Sequence, residues 1–211
     1  EAIRAMQRMH DLRFKHRAAP TPVDQTGSAF TFASGNIAMD FSWSGQSPSL
    51  RNTITNFAWD VVPTPHDPAR PYALAKGNQL VIWKGCAHPE LAWEFVKFMT
   101  SPQIELFLHG DANRRGVATR RSVLNDPRYL HASRPPYQTD TFREAVNLSA
   151  AAGTQLPIDY TWPVWTVELQ RYMDILLLEP DAKAERIMPQ AAAAINRAIA
   201  SERDRMRRYL Q

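Results

Sequence analysis

The side chains that could support catalysis or bind a metal are scattered along this chain of 211 residues. Cys86 is the only cysteine, so the chain can form neither an internal disulfide nor a cysteine cluster. The sequence contains no nucleophile elbow, H-E-x-x-H motif or glycine-rich phosphate loop, and no two carboxylates stand out for glycoside hydrolysis. We therefore expect no enzymatic activity, no metal and no cofactor. The histidines, which lie in unrelated segments without ligand spacing, are His10, His16, His66, His88, His109 and His131.

Apolar and alternating segments predict strands in the first part of the chain. These segments are IAMDFSW (37–43), NFAWDVVPTP (56–65) and the run from Tyr72 to Lys84. A short helix is predicted just before them, with Ser28 as its N-cap and Gly35 as its stop. The strand set is too small to complete a doubly wound sheet by itself.

Apolar residues at helical spacing predict an opening helix over 1–16 and a mostly helical second half. The clearest helix follows His88 and ends before Pro102, because proline is tolerated in the first turn of a helix but not in its interior. With strands ahead of most helices, the predicted fold class is α/β. Further helices are predicted at 102–109, 139–152 and 166–178, and from about 181 onward, where Pro189 would lie in the first turns or bend the helix.

The net charge of +4 is compatible with a nucleic-acid partner. The excess of arginine is concentrated at 114–121 and in the terminal stretch RDRMRRYL, where acidic residues interleave. No zinc finger, glycine-rich RNA motif or aromatic–basic alternation accompanies it. We therefore expect no nucleic acid among the partners, and a basic nucleic-acid-associated domain is the more distant alternative.

Five pieces of sequence occur in a characteristic order: FASGNIAMDFSW, WDVVPTP, LAKGNQLVIWK, HPELAWEFVKFMTSPQ and GVATRRSVLND. Together they resemble the C-terminal half of the extracellular solute-binding proteins of ABC importers, in the large sugar-binding, maltodextrin-binding-protein-like subgroup. The positions that carry the resemblance are Phe32, Gly35, Ala38, Met39, Pro63, Pro65, Pro89, Glu90, Ala92, Trp93, Phe95, Lys97, Phe98, Ser101, Pro102, Gly116 and Arg121.

The resemblance implies a type II periplasmic-binding-protein fold of two lobes, of which this chain supplies most of the C-terminal half. Residues 1–75 would be a second-lobe segment, residues 76–115 a first-lobe segment, and residues 116–211 a helical second-lobe segment. The hinge crossings would be Tyr72–Lys84 and the segment around Arg114–Arg121. Because the opening helix has no cap, no initiator Met and no export signal, we expect the N-terminal half of the same protein to be missing.

A missing first lobe has a consequence for the surface of this chain. The helix after His88 would lack the sheet on which its apolar residues pack. We therefore expect apolar surface to be exposed between residues 80 and 112, notably at Leu91, Phe95 and Phe98.

The resemblance also implies a function. Such a protein captures a sugar or oligosaccharide in the cleft between its lobes, closes around it by a hinge motion, and is then recognised by the membrane subunits of the ABC transporter. It would be periplasmic or extracellular, and the sequence leaves open whether a lipid anchors it. The alternative is the same fold binding another solute, such as a polyamine, a phosphate ester or a peptide.

A sugar site requires flat aromatic rings for the apolar C–H faces of the sugar and polar groups for its hydroxyl rim. Trp43 ends a predicted strand beside polar and glycine residues, where a ring can project into a crevice. Gly77 would let the backbone approach a ligand closely, or would form a simple bulge. The candidate ligand-binding residues are Trp43, Ser44, Gly77, Arg115, Tyr160, Trp162 and Trp165.

Each candidate has a structural alternative. Trp43, Trp162 and Trp165 could equally be core residues, and Arg115 could be a solvated surface side chain. Asp159 could accept hydrogen bonds from sugar hydroxyls or cap a helix or loop. Three other tryptophans are expected to be core residues: Trp59 on its predicted strand, and Trp83 and Trp93 in the core of the first lobe.

Overall fold

A computed structural model describes residues 1–21, 24, 30–66, 69, 73–74, 77–152 and 159–209. Its helices are α1 (Ala2–Phe14), α2 (Ser47–Thr53), α3 (Pro89–Met99), α4 (Pro102–His109), α5 (Arg121–Leu124), α6 (Pro127–Leu130), α7 (Asp140–Ala152), α8 (Trp162–Leu178) and α9 (Ala184–Tyr209). Short 3-10 helices span Phe32–Ser34 and Ser44–Gln46. None of the helices in these ranges has the length and apolar character that crossing a membrane requires.

The chain divides into two compact units. The terminal unit consists of Glu1–Ile37 and Pro157–Gln211, and the central unit consists of Ala38–Leu156. The assignment of residues 1–75, 76–115 and 116–211 to two lobes of a larger fold is a separate matter and stays a prediction.

The terminal unit is built from α8 and α9, against which α1 packs. Polar side chains of α1 satisfy backbone groups where α8 ends and α9 begins, which are groups that a helix leaves unpaired. Gln7 accepts a hydrogen bond from the Ala184 N–H at 2.8 Å, and His10 Nε2 donates to the carbonyl oxygen of Glu179 at 3.1 Å. The buried cluster beneath them is Leu176, Ala182, Ala184 and Ile187.

The central unit has its core where α4, α5 and α6 meet. The buried residues there are Ala118, Val123, Leu124 and Tyr129. Glu105 is buried in α4 and accepts hydrogen bonds from the backbone N–H groups of Thr119 and Arg120, at 2.9 and 3.0 Å. Its carboxylate thereby satisfies donors at the start of α5 and ties the two helices together.

Two buried arginines connect the rest of the central unit. Arg51 of α2 donates to Asp111 Oδ1 at 3.0 Å and to the carbonyl oxygen of Arg134 at 2.9 Å. Arg114 is fully buried and donates to the carbonyl oxygens of Tyr129 and His131, at 2.9 and 2.8 Å. The two guanidinium groups therefore hold the loop after α6 against α2 and against the turn after α4.

The described residues contain no strand, so the strands predicted over 37–43 and 56–65, and over the described part of 72–84, are wrong in this structure. A strand needs the backbone groups of a neighbouring strand, and the described part of the chain offers none. In the second segment a side chain binds backbone groups instead: Asp60 accepts from the N–H groups of Tyr137 and Gln138, at 2.8 and 3.1 Å. The α/β layout is not confirmed.

The helix predictions fare better, because each rests on local signals. The opening helix, the helices at 102–109 and 139–152 and the helix after His88 are confirmed within one or two residues at most ends. Gly35 ends the 3-10 helix with φ +79°, as its role as a stop requires, whereas Ser28 lies outside the described residues. The last helix includes Pro189, as predicted. The helix predicted from Thr166 begins earlier, at Trp162, because Pro163 fits its first turn.

The expected exposure of apolar surface between residues 80 and 112 is confirmed. No residue of α3 is buried, and Leu91, Phe95 and Phe98 are each more than half exposed. Trp59 is buried, as predicted. Trp83 and Trp93 are 74% and 50% exposed, so their packing in the core of the first lobe stays a prediction.

Candidate ligand-binding site

Trp43 lies in a four-residue turn that presents its indole to solvent. Its backbone is extended (φ −121°, ψ 149°), and its carbonyl oxygen accepts a hydrogen bond from the Gln46 N–H at 3.0 Å. The ring folds over Gly45, where a Cβ atom would lie only 2.1 Å from the indole. The residue is nevertheless 68% exposed, so most of the ring surface stays open.

Ser44, the next residue of this turn, lies close to the segment that carries Arg115. A Cβ atom on Gly116 would lie 3.9 Å from Ser44 Oγ and 3.8 Å from His109 Nδ1. Gly116 has φ +150°, a conformation that side chains rarely adopt. The structure therefore brings together three elements: the Trp43 turn, the end of α4 and the turn of Arg115.

Arg115 has an exposed side chain and a fixed backbone. Its N–H donates to the carbonyl oxygen of Leu108 at 3.0 Å, and its neighbour Arg114 is anchored in the core. An exposed guanidinium on an anchored turn can reach an anionic group or a hydroxyl rim. Its role in binding stays a prediction.

His109 is a member of this cluster that sequence reasoning missed. Its Nδ1 atom is buried without a protein hydrogen-bond partner. Burial lowers the pKa of the imidazole, and the nearby carboxylate of Glu105 opposes that shift only in part. The ring is therefore neutral at pH 7 and can offer a donor and an acceptor. No sequence signal points to it, because His109 is the last residue of an ordinary amphipathic helix.

Gly77 stands apart from these contacts. A Cβ atom there would meet nothing within 4 Å, so the structure provides no close neighbour for its backbone. The proposed hinge segment in which it lies begins at Tyr72, which is outside the described residues.

The other aromatic candidates lie in the terminal unit, at the start of α8. The rings of Trp162 and Trp165 meet edge to face with centroids 4.7 Å apart, and both are partly buried. Tyr160 is more exposed than either. Asp159 accepts hydrogen bonds from the N–H and hydroxyl of Thr161, at 2.8 and 2.6 Å, which lower the pKa of its carboxyl group. Asp159 therefore acts as a local cap.

A surface depression of about 800 Å³ lies along α1, and it does not coincide with either aromatic group. The described residues that line it are mostly polar and charged, and include Arg4, Arg8 and Asp11. In the described ranges, no three His, Cys, Asp or Glu side chains are grouped so that they could hold a metal ion. The aromatic groups are therefore the better candidates for a binding function.

Comparison with known proteins bears on the first half of the chain. Residues 2–105 match the family model of bacterial extracellular solute-binding proteins. The match supports a solute-binding component of an ABC transporter, and with it a periplasmic or extracellular location. Neither the curated proteins nor the solved structures contain a match to this chain.

The solute-binding family match covers some of the candidate residues and not others. Trp43, Ser44 and Gly77 lie within residues 2–105, as does α3 with its exposed apolar side chains. Arg115 and the aromatic residues at the start of α8 lie beyond it. The role of both aromatic groups in ligand binding stays a prediction.

Proposed function

We propose that this protein captures a carbohydrate for an ABC importer. The observation that carries the proposal is the Trp43 indole, which is seated on Gly45 and left mostly open to solvent. A flat, exposed and locally supported ring is the group that the apolar face of a pyranose requires.

Polar groups near the ring suit the rim of a sugar. Ser44 supplies a hydroxyl group, and the exposed Arg115 supplies a guanidinium that donates to hydroxyl oxygens. The neutral imidazole of His109 adds a further hydrogen-bonding group beside Ser44. A polyamine would instead need several carboxylates, and a phosphate ester would need more than one free cation, so this combination favours a neutral, hydroxyl-rich ligand.

Hinge closure is the proposed mechanism. A solute that contacts both lobes favours the closed state by the contacts that it makes only there. The candidate residues of this chain would supply the contacts of one lobe, and the other lobe would supply the rest. The membrane subunits of the transporter would then bind the closed form, so the protein itself would carry out no chemical step.

The proposal also accounts for the exposed face of α3. Leu91, Phe95 and Phe98 would pack on the remainder of the first lobe, which the N-terminal half of the same protein would supply. Apolar side chains at helical spacing are selected for burial, and this chain leaves all three exposed.

Calorimetric titration against a panel of ligands tests the proposal. The panel should contain mono- and oligosaccharides together with spermidine, a sugar phosphate and a short peptide. We expect saturable heat with at least one neutral sugar. Heat with only the polyamine, the phosphate ester or the peptide would contradict the carbohydrate assignment and keep a solute-binding role. Retention on DNA with a strong salt dependence would instead favour a nucleic-acid partner.

A further inference from the structure

The turn at Trp43 occurs a second time in this protein, at Trp83. Both turns have the pattern Trp-x-Gly-x, as Trp43-Ser-Gly-Gln and Trp83-Lys-Gly-Cys. In the second turn the carbonyl oxygen of Trp83 accepts a hydrogen bond from the Cys86 N–H at 2.9 Å, which matches the 3.0 Å bond that closes the first. The same four-residue backbone bond therefore closes both turns.

The position of the indole is also repeated. A Cβ atom on Gly85 would lie 2.5 Å from the Trp83 ring, just as a Cβ atom on Gly45 would collide with Trp43. Trp83 is 74% exposed, slightly more than Trp43. In both turns, then, a glycine supports part of the ring while the rest of the ring faces solvent.

The glycines are needed for the ring and not for the backbone. Neither Gly45 nor Gly85 has a positive φ, unlike Gly35 and Gly116, so an alanine would fit the backbone at either place. What an alanine would meet is the indole. The pattern thus has one physical effect, which is to leave room for the tryptophan ring to lie directly against the chain at the glycine.

From this repetition we infer that Trp83 is a second carbohydrate-stacking platform, which takes the apolar face of a pyranose ring. The inference rests on the proposed function, since Trp43 is the platform it extends. A ring that already lies against the chain before binding loses less conformational entropy when a ligand stacks on it than a ring extended into solvent does. Lys84 is exposed in the centre of the turn, as Ser44 is central to the other, and its ammonium group can donate to sugar hydroxyls.

A protein partner and a stacked sugar would depend on different side chains near Trp83. Val81 is 85% exposed and lies two residues before Trp83, so a protein partner that covers this segment would bury both side chains. A stacked sugar would depend on Trp83 and on its seat at Gly85, and would not depend on Val81. The two uses are therefore separable by substitution.

The test is calorimetric titration of the full chain with the sugar that it binds best, using W83A, G85A and the control V81A. We expect W83A to weaken binding at least 10-fold, G85A to weaken it severalfold because its methyl group displaces the ring, and V81A to bind as the wild type does. Circular dichroism should show all three folded, since each side chain removed is exposed and G85A meets only the movable end of a side chain.

The outcomes separate the two claims. Unchanged binding by W83A would overturn the second platform and leave the proposed function intact. Equal loss in V81A and W83A would also overturn it, in favour of a general apolar contact. Failure of the wild type to bind any sugar would overturn both the platform and the proposed function.

Discussion

Arg51 Nη2 lies 3.0 Å from Asp111 Oδ1, and the Arg51 side chain is almost wholly buried. This ion pair joins α2, which directly follows the Trp43 turn, to the segment after α4 that leads to Arg115. The carboxylate of Asp111 also accepts from the Ser133 N–H at 3.0 Å. Burial alone would raise the pKa of Asp111, but the hydrogen bonds from Ser133 and Arg51 outweigh it and lower the pKa. The pair therefore links the two segments that carry Trp43 and Arg115.

Replacing Arg51 by methionine should destabilise the central unit strongly. The change removes the closer of two cations beside Asp111, since Arg114 Nη2 approaches it only to 3.8 Å. It also leaves the carbonyl oxygens of Arg134 and Pro135 without their donor. Removing one partner of a buried pair costs about 3–5 kcal/mol. Urea denaturation of R51M measures the loss. The matched control is R128A, which breaks the exposed pair with Asp126 and should cost far less, because solvent screens that pair. Equal effects in the two variants would contradict a positioning role for Arg51.

Mildly acidic pH should weaken the fold through His109. Because burial lowers the pKa of this imidazole in the folded state, the unfolded chain binds more protons, and stability falls as pH drops below the ordinary histidine value near 6.5. Glu105, which faces the ring, opposes this shift only partly. The free energy of unfolding should therefore decline from pH 7.5 to 5.5, and it should decline less in H109Q. An identical decline in both proteins would assign the effect to other groups.

Gly116→Ala should destabilise the chain although there is room for the methyl group. The neighbouring Ser44 and His109 atoms would lie at ordinary contact distance, so the cost comes from φ +150°. We expect a loss of about 1 kcal/mol or more, by thermal or urea unfolding. Gly77→Ala is the control, because it has open space and no positive φ, and its stability should stay unchanged or rise slightly. A G116A variant as stable as G77A would show that this turn carries no strain.

A substitution on the exposed face of α3 should leave the stability of the chain almost unchanged. Phe98→Ser should change the free energy of unfolding of this chain by less than about 0.5 kcal/mol, because Phe98 is more than half exposed. It should also raise the highest concentration at which the chain remains monomeric, since it interrupts an apolar patch. Light scattering and urea denaturation measure the two effects. The control L124S buries a hydroxyl in the core and should lose stability sharply. A similar loss in F98S would mean that the face is packed.

The sequence predicts the helices of this fold well and its contacts poorly. Pro89 and Pro102 mark helix starts through a constraint that acts within one turn, and the structure begins α3 and α4 at those residues. A strand forms only when it pairs with another strand elsewhere in the chain. The apolar pattern at 37–43 therefore predicts a strand, but the segment does not form one in this structure. The link between Arg51 and Asp111 spans 60 residues, and no local pattern reveals it.

The residues of the candidate site also differ in whether local sequence reveals them. Trp43 and Ser44 could be found from residue type and order, since a tryptophan beside polar and glycine residues is recognisable in sequence. His109 could not, because its role depends on the approach of Gly116 and Ser44 from other parts of the chain. The sequence analysis predicts Trp83 in the core of the first lobe, although the glycine two residues later repeats the pattern at Trp43.

The most direct test of the central claim compares sugar binding by the wild type, W43A and F41A. Phe41 is more exposed than Trp43 and lies two residues before it, but no glycine lies against its ring, so F41A controls for the loss of an exposed ring. Isothermal titration with the best sugar of the panel should show at least a 10-fold weaker affinity for W43A and an unchanged affinity for F41A. Wild-type affinity in W43A would contradict the account.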